Sequence, residues 1–209
     1  GIFDTILNKD IARRLNIADT VSLENVTKFL LHSIGNKISP TKIANTLKSA
    51  GKSVDQKTVD KYIKGLVDSM LIYEAGRYNI KGKQFLSTQS KYYVVDVGMR
   101  NALVKSSESD IGHILENIVY LELKRRYKNV YVGEIDSGEV DFVSVNDNKY
   151  EYYQVSATTL DENTLKRELA PFGKIKDNYP KYLLTLDDVF SNADYNGVQK
   201  INVLEWLLK

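Results

Sequence analysis

The sequence has no cysteine, three prolines and only two histidines among its 209 residues. Without cysteine, neither a disulfide framework nor a thiolate metal site can form, and we expect a reducing, cytoplasmic location. The apolar runs are only a few residues long, far short of the roughly 20 residues that cross a bilayer, so we expect a soluble protein without membrane contact. The histidines, His32 and His113, have no partner at metal-ligand spacing, which argues against a histidine metal site.

The formal net charge of +2 conceals an uneven distribution of charge. Between Lys28 and Lys91 there are 12 lysines and arginines but 4 acids, whereas from Ser109 onward acids outnumber basic residues 17 to 12. A basic segment of this kind is typical of a nucleic-acid face, and the alternative is a lysine-rich solvated surface. The length and the 43% apolar content are sufficient for two small domains.

Residues 1–90 contain four helical patterns followed by two short strand patterns. Residues 1–15 predict an amphipathic helix, and further helices are predicted over 22–34, 40–50 and 53–70. Ser39 before Pro40 is a favourable helix start, Gly51 a favourable end, and Ser53 with Gln56 has capping-box spacing. Two strands are predicted over 71–74 and 77–80, turning at 75–76. Three helices and a hairpin predict a winged helix-turn-helix domain over 22–90, preceded by a linker helix within 1–21.

Three lysines of the last predicted helix, Lys57, Lys61 and Lys64, are spaced so that they share one face opposite the apolar stripe. This face predicts contact with DNA phosphates, and lysines imply weak sequence preference. The other predicted contacts are Gln56, as a base reader at the helix start, and Arg77, Lys81 and Lys83 as a wing. The alternative is a protein-docking module, since a winged helix also serves that role.

The second half predicts an α/β layer domain over 109–209, after a connector over 91–108. A helix is predicted from about 110 to 127, followed by strands, a helix and a further strand in the order αβββαβ. The strands are predicted over 130–133, 139–145, 150–157 and 182–186, the second helix over 160–176, and a short final element over 203–208. The late β-α-β unit implies a parallel crossover. The whole chain is therefore predicted to be α+β or α/β.

This order, with acids at particular positions, resembles the PD-(D/E)XK restriction-endonuclease fold. Glu116 corresponds to its helix acid and Asp141 to its central strand acid. Gln154 and Ser156 stand where the resemblance places the third-strand carboxylate and lysine. In such a site carboxylates hold Mg²⁺, which polarises the phosphate and helps to ionise a water molecule.

The substitutions at positions 154 and 156 leave the chemistry of the second domain open. Glu139 shares a strand face with Asp141, so Glu116, Glu139 and Asp141 form a candidate Mg²⁺ set, with Gln154 as a neutral ligand. Lys166 or Arg167 would then replace the missing lysine. The alternative is a domain that keeps Glu116 and Asp141 only as scaffold and does not cleave, which is the interpretation we favour. The many tyrosines allow a further alternative, a stacking platform for single strands.

Several phrases in order resemble the C-terminal half of a family of prokaryotic AAA+-type ATPases. They are ISPTKIANTLKS, TVDKYIKGLVD, KYYVVDVGMRNAL, GHILENIVYLELKRR, GEVDFV, YYQVS, TLKRELAPFGKI and YPKYLLTLD. The resemblance implies that an ATP-binding module precedes a winged helix and a nuclease-like domain of unknown function. It also implies that this fragment has no ATPase activity of its own and joins any homo-oligomer through the full-length protein. Three functions are therefore open: a nucleic-acid-binding module, a Mg²⁺-dependent nuclease and a protein-docking module.

Overall fold

The computed structural model describes residues 2–105, 107, 110–136 and 138–209, which form two compact units. Unit 1 comprises Gly1–Glu74 and Gln89–Ser106, and unit 2 comprises Ala75–Thr88 and Ser107–Lys209. The predicted boundary between connector and second domain, at residues 108 and 109, lies outside the described residues. Unit 2 also includes residues 75–88, which the prediction gave to the N-terminal domain. Among the described residues, no helix combines the length and hydropathy needed to span a membrane.

Unit 1 is built mainly from helices whose apolar faces meet in one core. Its helices are α1 (Ile2–Thr5), a π-helical segment (Ile6–Ala12), α2 (Thr20–His32), α3 (Pro40–Ser49), α4 (Gln56–Asp68) and α5 (Val97–Leu103). The helices predicted in this half are therefore confirmed. The core includes Ile11, Leu23, Leu30, Ile43, Val59 and Leu66. Burial of these side chains stabilises the unit by about 25 cal/mol for each Å² of apolar surface removed from water.

The ends of α3 agree with the sequence prediction, but the start of α4 does not. The hydroxyl of Ser39 accepts a hydrogen bond from the Lys42 amide at 3.2 Å, and Gly51 follows α3 with a φ of +75°. At α4 the predicted cap at Ser53 is wrong. Asp55 is the N-cap, because its carboxylate accepts from the Thr58 amide at 3.0 Å and aspartate caps a helix as well as serine does. The hydrogen bonds from Thr58 hold the pKa of Asp55 below its usual value.

The predicted hairpin turn at 75–76 is also wrong. One strand, β2 (Ile72–Asn79), runs through these residues, and the chain turns at 80–83 before β3 (Gln84–Val94). The Asn79 side chain fixes this turn by accepting a hydrogen bond from the Gly82 amide at 2.6 Å. Ala75 is fully buried within the strand, and the pairing and burial of β2 outweigh the local turn preference of Ala-Gly. In unit 1, β3 pairs antiparallel with β1 (Lys37–Ile38).

Unit 2 contains a mixed sheet with helices on its two faces. Its further elements are α6 (Ile111–Arg126), β4 (Val130–Ile135), β5 (Gly138–Asn146), β6 (Lys149–Ser156), α7 (Glu162–Leu169), a 3₁₀ segment (Phe172–Lys174), β7 (Lys181–Thr185), β8 (Asp194–Tyr195), β9 (Val198–Asn202) and α8 (Val203–Leu207). Within the unit the strand order is β2-β4-β5-β6-β7-β9-β8. The architecture is α+β, in agreement with the coarse prediction, whereas β8 and β9 were not predicted.

The pairing of the central strands of unit 2 changes from antiparallel to parallel at β6. Strand β4 is parallel to β2 but antiparallel to β5, and β5 is antiparallel to β6. Strands β6, β7 and β9 are parallel to one another, so the predicted parallel crossover through α7 is confirmed. On one face, Tyr120 of α6 packs on Phe142 with ring centroids 5.6 Å apart. On the other face, Phe172 and Ile175 pack with Tyr152. The first turn of α6 and the end of β6 consequently line the same cleft.

Candidate functional site

An open cleft of about 470 Å³ lies in unit 2 where β6 ends. Its lining comes from the start of α6, the start of β5, the end of β6 and helix α7. The lining residues are Gly112, His113, Glu116, Asp141, Gln154, Val155, Ser156, Ala157, Thr158, Thr164, Arg167 and Glu168. The structure therefore brings together four residues of the predicted site, which are Glu116, Asp141, Gln154 and Arg167. It also places His113 here, which the sequence gave no reason to include.

Asp141 is held against β6 by two hydrogen bonds. Its carboxylate accepts from the Val155 amide at 2.9 Å, and its own amide donates to the Gln154 side-chain oxygen at 3.3 Å. Because residues 141 and 154 lie at neighbouring positions of paired antiparallel strands, their side chains share one face of the sheet. The Asp141 carboxylate, which is 7% exposed, is thus engaged by the protein itself.

Glu168 of α7 is a buried carboxylate of the cleft that the sequence analysis missed. The Gln154 amide donates to one of its oxygens at 2.8 Å, and Arg167 donates to the other at 2.9 Å. A signal was present in the sequence: Glu168 lies three residues after Leu165 and four before Phe172, on the inward stripe of the helix. The side-chain amide of Gln154 therefore links the backbone N–H of Asp141 to the carboxylate of Glu168.

Two predicted members of the site lie elsewhere. Glu139 is not among the residues that line the cleft. Lys166 is exposed and its ammonium lies 2.6 Å from Glu162, one helical turn away, so α7 turns Arg167 rather than Lys166 toward the cleft. At the lysine position of the nuclease pattern, the Ser156 hydroxyl donates to the Thr158 carbonyl at 2.9 Å.

The carboxylates of this cleft are engaged by other groups of the protein. In the part of the chain that the structure describes, no three His, Asp or Glu side chains converge at metal-binding geometry. The Asp141 carboxylate accepts a hydrogen bond from the Val155 amide, and the Glu168 carboxylate accepts from Gln154 and Arg167. The arrangement can hold a polar network rigidly, and Arg167, with its side chain 73% exposed, provides a positive charge at the rim.

Beside the cleft, a buried ion pair joins β9 to the segment after β7, and the segment after β6 binds the same carboxylate. The Lys200 ammonium donates to Asp187 at 2.8 Å, and both side chains are almost fully buried. Thr158, which lines the cleft, donates its hydroxyl to Asp187 at 2.6 Å, and the Thr159 amide donates at 2.9 Å. Burial by itself raises the pKa of Asp187, but these hydrogen bonds outweigh it and lower the pKa to about 2.

The predicted DNA-contact residues fall in different units. Gln56, Lys57, Lys61 and Lys64 are all exposed on α4 of unit 1, and none of the three lysines forms an ion pair with a residue that the structure describes. The predicted wing residues belong to unit 2. There Arg77 forms a half-buried ion pair with Glu134, Lys81 an exposed pair with Asp136, and the Lys83 ammonium lies over the Tyr150 ring.

The family of the chain is shown by its first half, which includes the helices of unit 1. The model of a domain of unknown function, DUF8612, matches residues 1–110, just over half of the chain. The chain belongs to the DUF8612 family. The match includes α4 with its three exposed lysines and ends where α6 begins.

Two relatives of this DUF8612 member match it along nearly its whole length. An uncharacterized protein of Haemophilus influenzae is 39% identical over 100% of the chain and 51% of its own length. The uncharacterized protein MJ1544 of Methanocaldococcus jannaschii is 33% identical over 96% of the chain and 44% of its own length. The chain thus spans about half the length of the curated relatives it matches. A crystal structure of protein VC1899 from Vibrio cholerae aligns over 88% of the chain and 47% of its own, with 11% identity and a TM-score of 0.25.

Proposed function

We propose that this DUF8612 chain is a nucleic-acid-binding module that contacts duplex DNA through α4. The observation that carries the proposal is the exposed, unneutralised row of Lys57, Lys61 and Lys64 along one face of that helix. Asp60 and Asp68 lie on the same face, so this face of α4 carries three positive charges and two negative. Lysine ammonium groups at this spacing suit successive phosphates, and their pairing with phosphate releases counterions.

The arrangement of unit 1 supports a winged helix-turn-helix as the form of this module. Helices α3 and α4 are separated by a short turn containing Gly51. Strands β2 and β3 follow α4 in the chain, and their residues 75–79 and 84–88 belong to unit 2. Helix α4 buries Val59, Ile63 and Leu66 in the core, so its opposite face is the one that is presented to solvent. Gln56, exposed at the first position of α4, is the residue we assign to base contact.

For unit 2 we propose a PD-(D/E)XK-like domain that does not cleave. The αβββαβ order and the positions of Glu116 and Asp141 support the resemblance. Two observations support inactivity: Gln154 bridges Asp141 and Glu168 where a nuclease has a metal-binding carboxylate, and Ser156 replaces the lysine. A Mg²⁺-dependent reaction needs a converging set of oxygen ligands, which these residues do not supply.

We further propose that the module acts for an ATPase within the same longer protein. The support is the ordered likeness of its phrases to the C-terminal half of the AAA+-type family, together with relatives about twice as long as this chain. Binding of ATP, cytoplasmic location and homo-oligomer formation would then be properties of the whole protein.

The test is a fluorescence-anisotropy titration of labelled duplex DNA at several salt concentrations. The triple change Lys57→Ala, Lys61→Ala and Lys64→Ala is expected to lower the magnitude of the log-log salt slope by about 2.7, because each lost phosphate contact contributes about 0.9. A matched control changes three other exposed lysines of unit 1, Lys9, Lys28 and Lys105, and is expected to leave the slope within 1 of the wild-type value.

Duplex affinity that is unaffected by changing the three α4 lysines to glutamate would contradict the binding proposal and turn attention to a protein partner. Supercoiled plasmid incubated with Mn²⁺ is expected to remain uncut. Nicking that disappears with Asp141→Ala would show that the domain is a nuclease.

A further inference from the structure

A second cleft in unit 2 has a floor of isoleucine and a rim of lysine. Its volume is about 650 Å³, and its floor is formed by the buried side chains of Ile80, Ile135 and Ile175. The rim comes from the β2–β3 turn and from the segment after α7. The charged rim residues are Lys81, Lys83, Lys174, Lys176, Asp136 and Asp177. The volume is in the range of pockets that hold small organic ligands or parts of larger ones.

The charge of this cleft is opposite to that of the unit around it. Unit 2 as a whole contains 15 lysines and arginines and 18 acids, whereas the cleft is lined by four lysines and two aspartates. Both aspartates are engaged: Asp136 pairs with Lys81 at 2.9 Å, and Asp177 accepts a hydrogen bond from the Tyr152 hydroxyl at 2.6 Å. Lys83 and Lys176 form no ion pair with any described residue. The cleft therefore attracts anions.

An exposed aromatic ring lies close to these lysines in the chain. Phe85 is 66% exposed and lies two residues after Lys83, so their Cα atoms are at most about 7 Å apart. Its ring is held in place by Tyr131, with centroids 5.0 Å apart, and by Tyr78, at 5.4 Å. Tyr78 in turn lies 6.0 Å from the Tyr150 ring, over which the Lys83 ammonium is placed at 5.6 Å.

From these observations we propose that unit 2 binds single-stranded nucleic acid at this surface. A base stacks on Phe85, and the phosphates of adjoining nucleotides meet Lys83 and Lys176. An unpaired base has an accessible π face, and a groove that combines aromatic rings with lysines is the arrangement that single-strand binding requires. A duplex hides these faces. The proposal does not rest on the duplex contact assigned to α4, because all of its residues lie in unit 2.

The test is a titration of labelled 20-nucleotide dT and U oligomers against the chain, by fluorescence anisotropy at several salt concentrations. Phe85→Ala is expected to weaken binding about 5- to 150-fold, the range for loss of one base-stacking contact. Lys83→Ala with Lys176→Ala is expected to lower the magnitude of the salt slope by about 1.4, because each single-strand phosphate contact contributes about 0.7. The two oligomers distinguish DNA from RNA, and binding of either with these dependences supports the proposal.

Matched controls are available within unit 2. Phe190 is 69% exposed, so Phe190→Ala removes an equally exposed phenyl ring away from the cleft. Lys166→Ala with Lys209→Ala removes two exposed charges that do not line it. Both controls are expected to bind as the wild type does. The fluorescence of Trp206, the single tryptophan and a buried residue of unit 2, reports whether each variant is folded.

Three results would overturn the proposal: no binding of either oligomer at low salt, Phe85→Ala within two-fold of wild type, or equal weakening by Phe190→Ala. The triple change of the α4 lysines is expected to weaken duplex binding and leave single-strand binding in place. The duplex and single-strand proposals can thus fail separately.

Discussion

The change Asp187→Asn tests how much the buried Lys200–Asp187 ion pair, beside the cleft that contains Asp141, stabilises the protein. The change keeps the shape of the side chain but removes the negative charge that faces Lys200 at 2.8 Å. The Lys200 ammonium then remains buried without its counter-ion. Removal of one partner of a buried ion pair costs about 3–5 kcal/mol, so we expect a loss of that size in the free energy of unfolding at pH 7.

The pH dependence of this loss follows from the pKa of Asp187. In the folded protein the pKa is about 2, below the ordinary value of 3.8, because the hydrogen bonds from Lys200, Thr158 and Thr159 outweigh the effect of burial. The ionised carboxylate therefore stabilises the fold above pH 3.8, and this stabilisation is lost as the pH falls toward 2. At 1.36 kcal/mol for each pKa unit, the stabilisation amounts to about 2 kcal/mol.

The measurement is urea unfolding followed by Trp206 fluorescence at pH 7, 5, 3 and 2. The difference in unfolding free energy between wild type and Asp187→Asn is expected to be constant from pH 7 to 5 and to shrink by about 2 kcal/mol by pH 2. Asp147→Asn, at an exposed aspartate of the β5–β6 turn, serves as the control and is expected to show no such change. A difference that stays the same from pH 7 to 2 would refute the assignment of this stabilisation to the ionised carboxylate.

Two further predictions concern contacts within unit 2. Gln154→Glu places a second carboxylate beside Glu168, so we expect a loss of about 2–3 kcal/mol at pH 7 that becomes smaller at pH 5, where the pair shares a proton. The uncharged change Gln154→Met is expected to lack this pH dependence in the same urea titration. Arg126 lies 4.1 Å from the Trp206 ring and donates to the Trp206 carbonyl at 2.7 Å, so Arg126→Lys is expected to cost about 1–2 kcal/mol and shift the Trp206 emission. Its exposed neighbour Arg125 binds the same Glu122, so Arg125→Lys serves as the control. An unchanged emission with Arg126→Lys, or an equal shift with Arg125→Lys, would contradict this reasoning.

Much of the secondary structure of the chain was predictable from local sequence. Apolar spacing placed α2, α3, α4, α6 and α7, and Ser39 with Pro40 marked the start of α3 correctly. These features depend on residues within one or two helical turns of each other, so the sequence determines them directly. The resemblance to the PD-(D/E)XK pattern also assigned Glu116, Asp141 and Gln154 to one site, and all three line one cleft.

Predictions from the sequence were wrong where a strong local preference competed with pairing between distant segments. Ala75-Gly76 favours a turn by itself, but β2 continues through it because residues 77–79 pair with 132–134, which follow 55 positions later. Similarly, both Ser53 and Asp55 are residue types that cap helices. Asp55 caps α4 because the helix begins at Gln56.

What the sequence by itself determined is therefore most of the helices, the central strands of unit 2 and the uneven distribution of charge. Only the tertiary structure decided which charged side chains bind distant residues and which stay exposed to solvent. It joined Arg77 to Glu134, placed Glu168 against Gln154 and left Lys57, Lys61 and Lys64 exposed. The physical reason is that a charged side chain takes the partner that packing brings within about 4 Å, and for several of these groups that partner is far away in the sequence.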